Sequence, residues 1–340
     1  MSAPTVIWGA GAVGGTLGAC LVRAGEDVLF VDNVPEHVAA INANGLEIEG
    51  PITQFTVKAK ACLPQDMRGT YGRIVLAVKA QHTPDAAAAL APHLAADGYV
   101  VSAQNGLNEI AIAKAVGTAR TMGCFVNFGA DYLGPGKIIY GGYGAVVLGE
   151  LDGASTPRLA ETLALFRKFE PKAIATDNIW GYLWGKLGYG ALLFATALTN
   201  RSIADALAEP RWKALYRKIG GEAMAAAQAR KVRAEGFNGF DVAAFSAGGT
   251  DAALQASLDA MVAHNRKSAK THSGIWRDLA VRKRKTEVDA QIAIIADLAA
   301  ESGVATPAIR ALVAFVHDVE DGRRPMDDAT LDALAAAVAS

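Results

Sequence analysis

The stretch Thr5-Val6-Ile7-Trp8, followed by Gly9-Ala10-Gly11-Ala12-Val13-Gly14 and then TLGACLVRAG, constrains the fold more than any other part of the chain. It reads as a short β-branched strand, a GxGxxG loop and a helix, with a second strand-like run, DVLFVD, just beyond. Each glycine has its own task in that setting. Gly9 permits the tight turn, Gly11 lets the backbone approach a pyrophosphate, and Gly14 lets helix and strand pack closely. Ala10, Ala12 and Val13 complete a loop whose free N–H groups, at the helix N-terminus, face the phosphates of a dinucleotide. A glycine-rich turn without a ligand would also hold three glycines; the register of strand, loop, helix and strand selects the dinucleotide-binding reading.

The second strand ends at Asp32. A carboxylate there accepts hydrogen bonds from ribose hydroxyls and repels a 2′-phosphate, so NAD(H) is favoured over NADP(H), and no arginine follows closely in DNVPEH. The plainer alternative is an aspartate capping the next loop.

From Thr5 to about Glu150, short β-branched runs alternate with Ala/Leu-rich stretches, the pattern of a parallel sheet flanked by helices. The expected strands are TVIWG, DVLFVD, RIVLAV, YVVSAQ and TMGCFVNFGA, with KIIYGGYGAVVLGE closing the sheet edge as a hairpin. After Pro171 helical periodicity takes over, broken by a Gly-rich stretch at 237–249. At 340 residues two domains are expected: an α/β Rossmann-type domain over 1–176 and an all-α domain over 177–340, with TDNIW offering helix-start residues at the junction.

A formal net charge of −1 gives no general attraction to nucleic acid or anionic membrane. The basic run RDLAVRKRK has no interleaved aromatics and reads as a solvated face, some of whose cations could steer an anionic substrate. Cys20, Cys62 and Cys124 are widely spaced, without CxxC or a Cys/His cluster, so they read as small buried side chains in a reducing compartment, with no metal site. The N-terminus lacks a basic n-region and the longest apolar run, Leu187 to Leu198, is too short for a bilayer, so a cytoplasmic protein is expected.

Four residues are candidates for the chemistry, each a weak signal alone; on spacing alone Lys79 and Asn105 read as loop residues that satisfy nearby backbone. Lys79 in VLAVKAQHT and Asn105 in SAQNGLNE stand at the carboxyl ends of predicted strands, where open α/β sheets bind ligands. Lys186 interrupts an apolar helix in WGKLGYGALLF, and Glu287 lies in RKTEVDAQ. The order GxGxxG, VKA, QNG, WxKL and TEVD, with NANGLEIEG after the second strand, resembles the ketopantoate reductase family (2-dehydropantoate 2-reductase) from Val6 to about Arg324. The resemblance implies a Rossmann domain followed by a helical domain like the C-terminal domain of 6-phosphogluconate dehydrogenase, with the active site in the cleft between them. It implies Lys186 as general acid, Glu287 as the carboxylate that holds substrate, and Lys79 and Asn105 near the nicotinamide of NAD(P)H, Asn105 also reaching substrate. Reduction of a 2-keto acid leaves charge on the carbonyl oxygen, and a lysine supplies both positive charge and proton there. Taken singly, Lys186 could be a snorkelling lysine and Glu287 a surface ion-pair partner. Ser273, beside His272 in KTHSGIW, falls near the family's substrate-binding serine.

Two departures from the family stand out. Its WxKL motif usually continues with asparagines four and eight residues after the lysine; here those positions are Gly190 and Phe194. A site that loses amides for a substrate hydroxyl loses discrimination for it, and the expected substrate is a 2-keto acid with a bulkier or more apolar side chain. Asp32 stands where the family tends to carry an arginine suited to NADPH. The expectation is a nicotinamide-dependent 2-keto acid reductase, or (R)-2-hydroxy acid dehydrogenase, with Gly190 and Phe194 lining an altered pocket. A true 2-dehydropantoate 2-reductase and a non-catalytic NAD(H) sensor are the alternatives, and the helical domain leaves a homodimer open.

Overall fold

The computed structural model describes residues 4–267 and 271–339. The chain forms two compact units, Met1–Ile179 and Trp180–Ser340.

The first unit contains β1 (Thr5–Trp8), α1 (Ala12–Arg23), β2 (Val28–Val31), α2 (Pro35–Asn44), β3 (Leu46–Glu49), β4 (Phe55–Val57), β5 (Lys60–Cys62), β6 (Tyr71–Leu76), α3 (Thr83–Leu90), β7 (Leu94–Ser102), α4 (Asn108–Val116), β8 (Thr121–Gly134), β9 (Lys137–Glu150), α5 (Pro157–Phe166) and β10 (Ile174–Ala175). The strands form one mixed sheet in the order β4-β3-β9-β8-β7-β6-β1-β2-β5, with β10 beside β9. From β5 to β8 every pairing is parallel. Such strands are covered on both faces, which is why Val6, Ile7, Phe30, Ile74, Val75, Val100 and Val101 read as continuous β-branched or aromatic runs and are fully buried.

The edge hairpin expected from KIIYGGYGAVVLGE forms, with β9 antiparallel to β8, but it is not the edge. Lys137–Ile139 carries β3 in parallel, and Val147 and Leu148 carry β10. Two fourteen-residue strands project past the parallel sheet, and an exposed edge of that length is satisfied by short strands drawn from elsewhere in the chain. Lys137 fixes the β3 pairing further, with Nζ 2.9 Å from Glu47 and 3.7 Å from Glu49. Cys20 and Cys124 are buried as expected; Cys62, at the end of edge strand β5, is only partly so.

The second unit contains α6 (Ile179–Thr196), α7 (Ile203–Leu207), α8 (Lys213–Ala229), α9 (Val242–Phe245), α10 (Asp251–Arg266), α11 (Gly274–Ala280), α12 (Ile294–Glu301), α13 (Pro307–Glu320) and α14 (Asp328–Ala339). A π turn at Asp289–Ala293 leads into α12. Among the described residues this unit has no strand, only a Phe237–Phe240 bridge in the Gly-rich stretch. Its core is aromatic: Trp184, Trp212, Tyr216, Phe194 and Phe240 are among the largest fully buried side chains.

Candidate active site

In the first unit the glycine loop leaves β1 with Gly9 at φ +99°, and a Cβ there would lie 2.8 Å from the Val78 nitrogen. A Cβ on Gly14 would lie 2.0 Å from the Gly9 oxygen, so any larger residue would push α1 off its strand. Gly11 differs: a Cβ would meet no atom within 4 Å. Gly11 also caps α1 with no side-chain bond, and the first turn of α1 holds no acidic residue. The positive end of that helix, on the open side of the loop, suits an anion such as a pyrophosphate.

Asp32 shapes this loop. Its Oδ2 accepts the Ala10 N–H at 2.8 Å and its Oδ1 accepts the Val34 N–H at 3.0 Å. His37, on α2 and 1% exposed, holds the other side of the same residue. The Gly136 N–H donates to His37 Nδ1 at 2.9 Å, so the ring proton sits on Nε2 and bonds the Ala10 carbonyl at 2.9 Å. The loop is thus tied at Ala10 to the end of β2 and to the turn between β8 and β9. Tyr132 stacks edge-on against His37, with ring centroids 5.1 Å apart. Burial and the nearby carboxylates of Asp32 and Glu36 push its phenol pKa up. Asp32 and Glu36 thus place two carboxylates close to the Tyr132 phenol, beside the loop that follows β2.

Lys79 and Asn105 occupy the loops beyond the carboxyl ends of β6 and β7, Lys79 half-buried and Asn105 exposed. Parallel pairing brings these loops beside the glycine loop. The Ala77 N–H donates to the Trp8 carbonyl at 2.8 Å, and the Ala103 N–H to the Leu76 carbonyl at 2.9 Å. The residues from Gly9 to Gly14, Asp32, Lys79 and Asn105 thus share one end of the sheet.

In the second unit α6 is buried almost all round. Beyond its first two residues, only Tyr182, Lys186, Gly190 and Leu193 keep access to solvent, one stripe at helical spacing, and Lys186 is the only charged residue of the helix. The three glycines near the lysine act differently. A Cβ on Gly185 would lie 1.8 Å from the Glu235 oxygen, and one on Gly188 would lie 2.6 Å from Met224 and 2.8 Å from Phe240. At Gly190 it would meet nothing within 4 Å.

Phe194 is a correction. It is 1% exposed and belongs to the core, not to the accessible stripe. Eight residues carry a helix about 80° past Lys186, whereas seven bring Leu193 to within about 20° of it. The residues that continue the lysine's face are Gly190 and Leu193.

Glu287 is half-buried in the segment before α12, and its neighbours are pinned. Glu320 Oε1 accepts the Thr286 N–H at 2.7 Å and the Thr286 hydroxyl at 2.6 Å. His317 lies 2.9 Å from Glu320 through Nδ1 and 2.9 Å from Asp289 through Nε2. Burial lowers the His317 pKa, but hydrogen bonds and charge from Glu320 and Asp289 outweigh this and raise it overall. π turns of the kind that starts at Asp289 recur at functional sites.

Ser273 is buried and caps α11, its Oγ accepting the Trp276 N–H at 3.1 Å; a hydroxyl proton is what it has left to offer a ligand. His272 packs its ring 4.1 Å from that of Trp276. In the basic run, Arg282 and Arg284 both pair with buried Asp278, at 3.0 and 2.9 Å, and Lys285 lies 3.9 Å from Asp321. Asp278 is one carboxylate shared by two arginines, so the run keeps a net positive charge. His37, Thr286, Glu320 and His317 escaped the sequence reading because each works through a partner distant in the chain; Gly136 lies 99 positions from His37. Among the described residues no group of three or more His, Cys, Asp or Glu could hold a metal ion, and no helix is long and apolar enough to cross a membrane.

The family model described as "Ketopantoate reductase PanE/ApbA" matches residues 5–153, and the model of its C-terminal domain matches residues 178–320. The chain belongs to the ketopantoate reductase family. Members of this family are oxidoreductases that use a nicotinamide cofactor, and the glycine loop fits one. The 2-dehydropantoate 2-reductase of Mesorhizobium japonicum is 28% identical over 336 residues, spanning 92% of this chain and 96% of that protein. The 2-dehydropantoate 2-reductase of Pyrococcus abyssi is 34% identical over 187 residues, 53% of this chain, and the match spans 58% of that protein. Among solved structures, a ternary complex of D-mandelate dehydrogenase with NADH and anilino(oxo)acetate shares the fold, with a TM-score of 0.80 at 22% identity over 94% of this chain and 99% of that one.

Proposed function

We propose that this member of the ketopantoate reductase family interconverts a 2-keto acid and its (R)-2-hydroxy acid, prefers NAD(H), and takes a substrate with an apolar side chain. The reading is carried by one observation: the accessible stripe of α6 consists of Tyr182, Lys186, Gly190 and Leu193, so that stripe of the helix presents an ammonium and no amide side chain of its own.

A bound nicotinamide supplies or accepts the hydride. Lys186 then has two tasks, to stabilise the negative charge growing on the carbonyl oxygen and to give that oxygen a proton. Glu287 holds the substrate, and the bonds of Thr286 to Glu320 and of Asp289 to His317 limit its freedom. Space at Gly190 and the carbon skeleton of Leu193 suit an apolar or branched side chain and offer a hydroxyl no partner. Asp32 and Glu36 disfavour a 2′-phosphate. The fold shared with D-mandelate dehydrogenase, solved with NADH, supports the same choice.

The test is Lys186→Ala. NADH binding, read from quenching of tryptophan fluorescence, is expected to persist while kcat on the best 2-keto acid falls by about 10²–10⁴; near-normal turnover would remove Lys186 from the chemistry. The names of the curated relatives favour a second reading, reduction of 2-dehydropantoate itself. Growth of a pantothenate-requiring strain on this gene would establish it.

A further inference from the structure

The loops that carry Lys79 and Asn105 are joined beneath the surface by a chain of buried polar groups. Gln104 Nε2 donates twice, to the Val78 carbonyl at 2.8 Å and to Thr83 Oγ1 at 2.8 Å. Thr83 Oγ1 donates to Asn108 Oδ1 at 2.8 Å, and Asn108 Nδ2 donates to the Asn105 carbonyl at 2.7 Å. Thr83, Gln104 and Asn108 are 1%, 4% and 6% exposed, so water offers no substitute for a lost bond.

The direction of this chain is fixed. Backbone carbonyls only accept, so the Val78 carbonyl sets the orientation of the Gln104 amide and the Asn105 carbonyl sets that of Asn108. Asn108 then presents Oδ1 to Thr83, whose hydroxyl must donate there and accept from Gln104. Gln104, the neighbour of Asn105, ties its loop directly to the peptide before Lys79, and the Thr83 hydroxyl adds a second route, through Asn108, to the peptide after Asn105. Thr83 is the first residue of α3 and Asn108 the first of α4, so the link also ties both loops to the start of the helix that follows.

We propose that Thr83, Gln104 and Asn108 are positioning residues that set the spacing of Lys79 and Asn105, so that the two act on the nicotinamide end of the site as one unit. This rests on the reading that Lys79 and Asn105 stand on the cofactor side. A small displacement of groups that orient a reacting centre costs rate far more than binding.

Thr83→Val keeps the shape and removes the hydroxyl; Thr83→Ser keeps the hydroxyl and trims the shape. For Thr83→Val, kcat is expected to fall about 10- to 100-fold with NADH affinity little changed, and Thr83→Ser is expected to restore most of the rate. Backbone amide resonances give an arm that needs no turnover. The N–H groups of Lys79 and Gly106 share peptide planes with the two accepting carbonyls, so both should shift in Thr83→Val and stay near wild type in Thr83→Ser. Unmoved amides in Thr83→Val, a kcat within about twofold of wild type, or a serine variant as impaired as the valine variant would overturn the proposal. Wild-type protein that turns over no 2-keto acid would instead overturn the functional reading, and the amide shifts would still decide whether Thr83 couples the loops.

Discussion

The glycine loop of the first unit is held by directed bonds: Ala10 is gripped at its N–H by Asp32 and at its carbonyl by His37. Helix α6 of the second unit is held by volume, with Leu183, Trp184, Leu187 and Leu192 buried around the lysine stripe and Gly185 and Gly188 admitting neighbours. The first arrangement fixes a backbone which, on the proposed reading, meets the cofactor phosphates at hydrogen-bond distance. The second fixes an axis and leaves one partly accessible stripe, which on the proposed reading keeps a proton donor in place while the substrate side chain varies. Damage should differ accordingly: lost bonds in the first region, lost or excess volume in the second.

The largest effect should come from excess volume. Gly185→Ala places a methyl 1.8 Å from a backbone oxygen, so α6 must move from the Glu235 segment. A loss of about 3 kcal/mol or more in denaturant-melt stability is expected; a loss under about 0.5 kcal/mol would show that close packing at Gly185 is not what fixes the helix.

In the first region, His37→Leu fills the space but leaves the Ala10 carbonyl and the Gly136 N–H without the ring. A stability loss of about 1–3 kcal/mol is expected, together with a raised KM for NADH and an unchanged KM for the keto acid. A variant whose keto-acid KM rises instead would show that the clamp at Ala10 does not serve the cofactor.

A smaller effect concerns pH. His317 is raised in the folded state, so its contribution is fully present below the unfolded value of about 6.5 and is lost as pH rises through the folded value. The stability difference between wild type and His317→Gln should therefore shrink from pH 6 upward. A difference that grows with pH would contradict the bridge between Glu320 and Asp289.

The smallest effect has the opposite sign. Gly190→Ala meets nothing within 4 Å and should stabilise α6 by about 0.5–1 kcal/mol, while raising KM for bulky keto acids more than for small ones. Uniform kinetics across the series would place the substrate side chain elsewhere.

How legible each region was follows from how it is built. The glycine loop could be read because its parts are contiguous and each glycine answers a local demand. The same holds for β1, β2, β6 and β7, whose double-sided burial leaves a nearly unbroken apolar signature. Strands β3 and β10 gave no comparable signal; they are short and exist because β9 needed partners. Lys186 was conspicuous in an apolar helix, but its neighbours were misread at Phe194, because i+8 spacing drifts off a face that i+7 keeps. The bonds that hold Ala10, Thr286 and Asn105 join residues remote in sequence or types common in any loop, so no local pattern announced them.

The central claim is most directly tested by following oxidation of NADH and of NADPH by the wild-type protein across a panel of 2-keto acids that includes 2-dehydropantoate. The expected result is a higher kcat/KM with NADH than with NADPH, and a higher kcat/KM for a keto acid with an apolar or aromatic side chain than for 2-dehydropantoate. A strong preference for NADPH together with 2-dehydropantoate as the best substrate would contradict it.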